Sequence, residues 1–323
     1  YYINKIKKCF LQRKVFTMNK CALFTNDVET TSIWFNSLRD ETGRKVLNEG
    51  MPLLLETYEK YNIKSTFYFT GYIAKLYPQV VKMILKHGHE VGSHGKSHIR
   101  ENGFDVMPFE KQKRHLLESK QLLEDISGQE VISFRAPALR VNNDTARALI
   151  EAEYKIDSSI ASQRFDFFMS FGGLKKLKWL FAPRLPYKTS PNSLFKKGKG
   201  PIVEIPLTAL FFPHVGTTMR IFPLLTSFQR YGINIESSFN NKPLVFDIHP
   251  NEFIDESDEP RIIEKRTKNK INYFMQDWLR AQLKTKNLGP NASFLFEKEI
   301  NFFEKRNYNF LTVKDYCIKQ NLI

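Results

Sequence analysis

Short apolar blocks of two kinds alternate along the first half of this chain. "CALFTND" (21–27), "STFYFTG" (65–71), "HEVGSH" (89–94), "VISFRAP" (131–137) and "YKIDSS" (154–159) are brief and bounded by polar or turn residues, a pattern that predicts strands. Between them, apolar residues recur every three or four positions. "PLLLETYEKYN" opens on Pro52, "IAKLYPQVVKMILKHG" closes on Gly88, and "PFEKQKRHLLESKQLLEDISG" and "NDTARALIEAE" follow. These predict amphipathic helices.

Strands that alternate with helices run parallel, with the helices packed outside them. Ligands then gather at the carboxyl ends of the strands. Asp27 and Glu29, His94 and His98, Arg135, and Asp157 all fall at such ends, and this shared placement predicts a site.

Beyond residue 160 the alternation weakens. Residues 165–200 cluster aromatics with lysines, and "KTSPNSLFKKGKGP" is of low complexity. "GPIVEIPLT" and "KPLVFDIHPNEF" restore strands, the second ending at His249. "FLFEKEINFFEKRNYNFLTVKDYC" predicts a last helix, a short strand and a closing turn. The expectation is a basic tail over residues 1–18 and one α/β domain over 19–323. Irregular insertions around 165–240 would interrupt its barrel-like core.

A hydrophobic content of 42% suits a globular fold, and no apolar run approaches the ~18 residues a spanning helix needs. Cys9, Cys21 and Cys317 are odd in number and lack metal or framework spacing, which predicts a reduced compartment. The basic start has no apolar core or cleavage site of a secretory signal. The expected location is therefore cytoplasmic, with peripheral attachment to the inner membrane face as an option. The net charge of +15 suits a plain basic surface, an anionic membrane or an anionic substrate. Nucleic acid ranks last, since no recognition motif for it is present. In "FFMSFGGLKKLKWLFAPRL" (167–185), aromatics alternate with Lys175, Lys176 and Lys178. That suits either a membrane interface or a cap over the barrel mouth.

His94 and His98 in "SHGKSH" stand four residues apart and can converge on one ion, although such pairs also occur on solvated loops. Asp27 and Glu29 are one residue apart, so on a strand they point to the same side while Val28 points away. Two imidazoles and the Glu29 carboxylate leave open positions on a cation, the arrangement of a catalytic site. Asp27 then serves as the base, and Arg135 holds it by charge-assisted hydrogen bonds. His249 can protonate a leaving amine, with Asp247 or Asp157 tuning it. A competing register pairs Asn26 with Asp27. Asp27 would then be the ligand, and Asn26 would leave no base.

The stretch "STFYFTGYIAKLYPQVVKMILKHGHEVGSHGKSH", together with "SFRAPAL", "YKIDSS" and "FDIHPNEF", resembles the polysaccharide deacetylase family, also called NodB-homology or carbohydrate esterase family 4 proteins. The resemblance implies a distorted (β/α) barrel. It also implies a divalent metal, zinc first with cobalt, nickel or iron as alternatives, at which an N-acetyl carbonyl is polarised and water activated. By the same resemblance His94 and His98 are metal ligands, Asp27 the base, Arg135 its orienting partner and His249 the general acid. Asp157 stands in the groove element. The turn Pro137-Ala138 would face substrate, with the Ala138 N–H helping to hold the oxyanion. Three departures stand out: Asp27-Val28-Glu29 replaces an adjacent aspartate pair, Ala138 replaces an aromatic residue, and "DSS" replaces a longer groove motif.

The expected function is metal-dependent removal of an acetyl group from an amino sugar in a polysaccharide, an oligosaccharide, or a lipid- or nucleotide-linked precursor. The alternatives are hydrolysis of a small cyclic amide or formamide, and an inactive carbohydrate-binding homologue. The sequence leaves the oligomeric state open.

Overall fold

In the computed structural model the described residues are 20–162, 179–261 and 278–323. The apolar blocks form one sheet of ten strands. Its first strand, β1 (Cys21–Val28), is followed by a small hairpin of β2 (Thr31–Ser32) and β3 (Ser37–Leu38). β4 (Thr66–Phe69), β5 (Glu90–Ser93), β6 (Ser133–Phe134) and β7 (Ile156–Asp157) then add in chain order, each parallel to the last. The antiparallel pair β8 (Tyr187–Ser190) and β9 (Ser193–Lys197) occupies the low-complexity stretch, and β10 (Val203–Glu204) joins it to β7. The short β11 (Ala209–Leu210) and β12 (Phe212–Pro213) form a separate hairpin. β13 (Leu244–Ile248) lies parallel on the other side of β1, and β14 (Asn309–Phe310) pairs with the start of β1.

The sheet curls on itself, and an irregular segment links the residues just after β7 to β13. After β10, the Leu207 N–H donates to the Ile160 carbonyl (2.8 Å), and the Thr208 N–H donates to the Val245 carbonyl (3.0 Å). The Val245 N–H returns a bond to Thr208 Oγ1 (2.9 Å). This is the distorted (β/α) barrel that the sequence predicted.

Two predicted helices differ in extent. Proline suits a first turn, but here the chain is already helical before Pro52. α1 (Asp40–Lys45) passes through a π-helical turn at Val46–Gly50 into α2 (Met51–Lys60). The turn adds a residue to the ladder at the point where proline removes a donor. "IAKLYPQVVKMILK" is two helices, α3 (Gly71–Leu76) and α4 (Gln79–Lys86), broken at Tyr77-Pro78 because proline disfavours helix in the residue before it. α5 (Phe109–Ser127) and α6 (Asp144–Glu151) match their apolar periods, and α5 ends on Gly128 at φ 68°.

The region expected to be irregular holds α7 (Gly216–Ile221) and the 18-residue α8 (Pro223–Asn240). α9 (Arg280–Lys284), α10 (Pro290–Glu304) and α11 (Val313–Lys319) complete the described chain. α11 stands where a closing turn was expected, capped by Thr312 Oγ1 accepting from the Asp315 N–H (3.0 Å). Phe24 anchors the core: its ring meets Phe246 at 5.7 Å, Phe296 at 5.4 Å and Phe310 at 5.6 Å. Two late strands, β13 and β14, and the late helix α10 are thereby tied to β1.

Candidate active site

Alternation along β1 sorts its polar residues to two sides. Asn26 turns into the packing beneath α2, where its amide donates to Ser65 Oγ (2.6 Å) and its carbonyl accepts from the Tyr58 hydroxyl (2.7 Å). Both ends of that amide are engaged in the core, so the register that put Asn26 in the site is set aside. Asp27 and Glu29 emerge together on the other side, both buried.

Glu29 meets the two histidines of the loop after β5. One oxygen of Glu29, one ring nitrogen of His94 and one of His98 lie within 4.8 Å of one another, and Glu29 Oε2 is 3.1 Å from His98 Nε2. His94 Nδ1 sits 2.8 Å from the Arg135 carbonyl. A carbonyl only accepts, so Nδ1 carries the proton and the Nε2 lone pair faces the cluster. Burial lowers the His94 pKa to about 4, so the ring is neutral near pH 7. His94 Nε2 and Glu29 Oε2 are buried with no hydrogen-bond partner. Unpaired buried polar atoms are costly, and these aim at one point. The neutral His94 ring, the His98 ring and the Glu29 carboxylate fit a divalent cation with positions left open for substrate and water. The Ala138 N–H, held at φ 51° in the turn after Arg135, points at His98 Nε2 (3.2 Å).

Arg135 crosses the barrel interior fully buried. Its Nη1 donates to Asp27 Oδ1 (3.0 Å) and to Asp247 Oδ1 (2.6 Å). Its Nε and Nη2 donate to the Ser158 carbonyl (3.0 Å) and hydroxyl (2.9 Å). With Oδ1 committed to arginine, Asp27 Oδ2 faces the cleft, 3.5 Å from His94 Nε2 and 3.9 Å from His249 Nε2. Burial pushes the Asp27 carboxyl up, but His94, Arg135 and His249 together outweigh it and hold the group below the usual range. Asp247 moves the other way. Burial, then the Asp27 charge, raise it to about 7 against the pull of Arg135.

His249 caps the far side. Burial disfavours its charged form, but the Asp247 carboxylate and a hydrogen bond to Glu252 win and raise its pKa to about 10. Glu252 Oε1 is 3.1 Å from His249 Nδ1, and its other oxygen accepts from Arg220 Nε. Glu252 was not picked out from the sequence. The available signal was "HPNE": an acidic third residue in a proline-started turn can bond back to the residue just before the proline, and here it does so as a capping box.

Several expectations need correcting. Asp157 is not beside His249. It is buried away from that side chain, accepts from Ser159 Oγ (2.6 Å) and lies opposite Glu204 in the strand register; Asp247 and Glu252 do the tuning. Pro137 is buried, so it shapes the turn that presents Ala138 and offers substrate no surface. His115 and His89 are both buried, and His89 Nδ1 accepts from the Ser65 N–H (3.1 Å). In the aromatic-lysine stretch, Lys175, Lys176 and Lys178 fall outside the described residues, as do residues 1–19. Trp179 is buried in the core at 1% exposure, so it offers nothing to a membrane, whereas Phe181 is 90% exposed.

A family model described as polysaccharide deacetylase matches residues 31–156, so the resemblance read from the motifs holds. His94, His98, Arg135, Pro137 and Ala138 fall within the match. The fold brings Asp27, Glu29 and His249 to them from outside it. The chain is 29% identical over 146 residues to a peptidoglycan deacetylase of Helicobacter pylori, covering 43% of this chain and 49% of that protein. It is 30% identical over 105 residues to a peptidoglycan-N-acetylglucosamine deacetylase of Bacillus cereus, covering 32% and 47%. The chain thus spans about half the length of these curated relatives. Among solved structures, a Mycobacterium smegmatis protein titled a polysaccharide deacetylase superposes with a TM-score of 0.54 at 19% identity, over 72% of this chain and 78% of that one. The PuuE allantoinase superposes at 0.57 with 15% identity, over 91% and 88%. At these identities the likeness concerns the fold.

Proposed function

We propose that this protein is a metal-dependent hydrolase that removes the acetyl group from an N-acetylated amino sugar in a polysaccharide such as peptidoglycan, or in a precursor of one. The observation that carries this reading is the juxtaposition of the Glu29–His94–His98 donor set with Asp27 and His249 in one cleft. The names of the curated relatives support the substrate class. Glu29, His94 and His98 would hold the ion, with zinc first among the candidates; when bound, it supplies Lewis-acid polarisation of the acetyl carbonyl and a more acidic water.

The chain's own groups divide the remaining work. Asp27, ionised and with Oδ1 fixed by Arg135, takes the proton of the attacking water at Oδ2. The Ala138 N–H donates to the oxygen on which negative charge develops. His249, protonated at neutral pH, gives its Nε2 proton to the departing sugar nitrogen, converting a poor leaving group into an amine. Acetate is the second product.

The test is acetate release from N-acetylglucosamine oligomers and from peptidoglycan fragments by metal-loaded protein, run beside a small cyclic amide. Acetate release that is lost in His249→Ala supports the reading. Turnover of the cyclic amide alone replaces it with the amidase alternative. Sugar binding with neither metal nor turnover replaces it with an inactive binding protein.

A further inference from the structure

α8 is mounted with its polar side inward. Its buried residues are Thr226, Gln229, Ile233 and Ser237, three of them polar and secured by hydrogen bonds. Gln229 Nε2 donates to the carbonyls of Leu210 (3.1 Å) and Phe212 (2.9 Å), and Ser237 Oγ donates to the Lys242 carbonyl (2.7 Å). The opposite face carries Leu224, Phe228, Tyr231, Ile235 and Phe239, from 55% exposed at Ile235 to 82% at Phe239. Three- and four-residue spacing puts these five on one stripe of the helix. An ordinary surface helix presents the reverse arrangement, and a continuous apolar patch of this kind marks a binding surface.

Cations flank the stripe. α10 lies alongside, and Lys298 Nζ stands 4.0 Å from the centre of the Phe294 ring, itself 60% exposed. The Arg306 guanidinium stands 3.6 Å over Phe302 and 5.6 Å from Tyr231. The acidic residue of α8, Glu236, is neutralised by Arg184 (2.5 Å) and Lys242 (2.9 Å). The chain as a whole carries +15.

We infer that the outer face of α8 is a docking surface for an anionic lipid bilayer. An apolar helix face edged by basic side chains that stack on aromatic rings suits the boundary between acyl chains and negative headgroups. At 18 residues α8 is about 27 Å long, and no helix among the described residues is long and apolar enough to cross a membrane, so α8 lies on the surface. A second copy of the chain fits less well. In a two-fold pairing, Lys298 and Arg306 of each copy would approach the same cations of the other, whereas anionic headgroups attract them. α8 begins just after Arg220, which bonds Glu252 beside His249, so docking would bring the barrel mouth near the lipid surface.

Flotation with phosphatidylcholine vesicles, with and without phosphatidylglycerol, tests this. Wild-type protein is expected to float with the phosphatidylglycerol vesicles at low salt and to be released by high salt. Phe228→Ser with Phe239→Ser should weaken binding about tenfold or more, and Lys298→Glu with Arg306→Glu should remove the preference for anionic lipid. An Ile235→Trp reporter, which leaves the other stripe residues in place, should shift its emission to the blue on mixing with anionic vesicles. Three results overturn the inference: no flotation of the wild type, binding unchanged in the Phe228/Phe239 variant, or a dimer in sedimentation velocity that this variant dissolves. None of them bears on acetate release from soluble oligomers, so the catalytic reading stands or falls separately.

Discussion

Replacing Asp27 and Glu29 one at a time separates two carboxylates that lie two positions apart at the end of β1. Asp27→Asn should retain bound metal by elemental analysis while lowering kcat about 10²–10⁴-fold, because Arg135 still holds the side chain while its base is gone. Glu29→Gln and His94→Ala should lose metal first, with the circular dichroism of the fold unchanged. The outcome that reverses these roles is Asp27→Asn losing metal while Glu29→Gln keeps both metal and activity. His249 adds a pH signature. Its folded pKa of about 10 lies above the ordinary 6.5, so its contribution to stability is complete below the ordinary value and is lost as pH rises through the folded one. As the proton donor it fails over the same rise, and rate should fall on the alkaline side near pH 10. Glu252→Gln removes one of the groups that raise this pKa, so the alkaline limb should move to lower pH in a rate profile, with less change at neutrality. Alternation made the Asp27–Glu29 pair legible in sequence, because period two depends only on the strand. The tuning of His249 by Asp247 and Glu252 was half legible at most, since a histidine's neighbours in space follow from how the loop after β13 turns.

The pairing of β7 with β10 sets Asp157 directly opposite Glu204, two carboxyls buried side by side. Burial raises both, and for Glu204 the Asp157 charge adds to the rise. The folded state then keeps protons that the unfolded chain has released, so stability falls as pH climbs above the ordinary carboxyl range. Asp157→Asn should flatten that fall, with a Tm gain at pH 8 larger than at pH 5; equal changes at both values would refute a raised pKa. At this scale the sequence was uneven. α5 and α6 were readable because their apolar periods match one packed face, and the break at Pro78 had a local cause in the residue before proline. α8 was not legible: its apolar residues mark the exposed face, so the usual rule that the apolar side packs inward gives the wrong orientation. The β8–β9 hairpin was missed as well, since a lysine-rich edge of a sheet has the composition of a loop.

Across the whole molecule, barrel closure rests on a few contacts at the seam between Thr208 and β13. Thr208→Val keeps shape but removes the oxygen that accepts the Val245 N–H, leaving a buried donor unpaired at a cost of about 1–3 kcal/mol. Urea unfolding should show that loss, and because β13 leads to His249, kcat should fall while metal content holds. Sequence alone determined the α/β class, the parallel order of the first strands and the gathering of Asp27, Glu29, His94, His98 and Arg135 at strand ends. Each of these follows from local periodicity and from the geometry of parallel strands. Only the tertiary structure decided which carboxylate faces which histidine, that Asn26 is consumed in the core, that Asp157 belongs to a different pair, and that Glu252 and Arg220 support His249. Those outcomes depend on contacts between residues as far apart as Arg135 and Asp247. The packing of the whole chain sets such distances, and no local pattern encodes them.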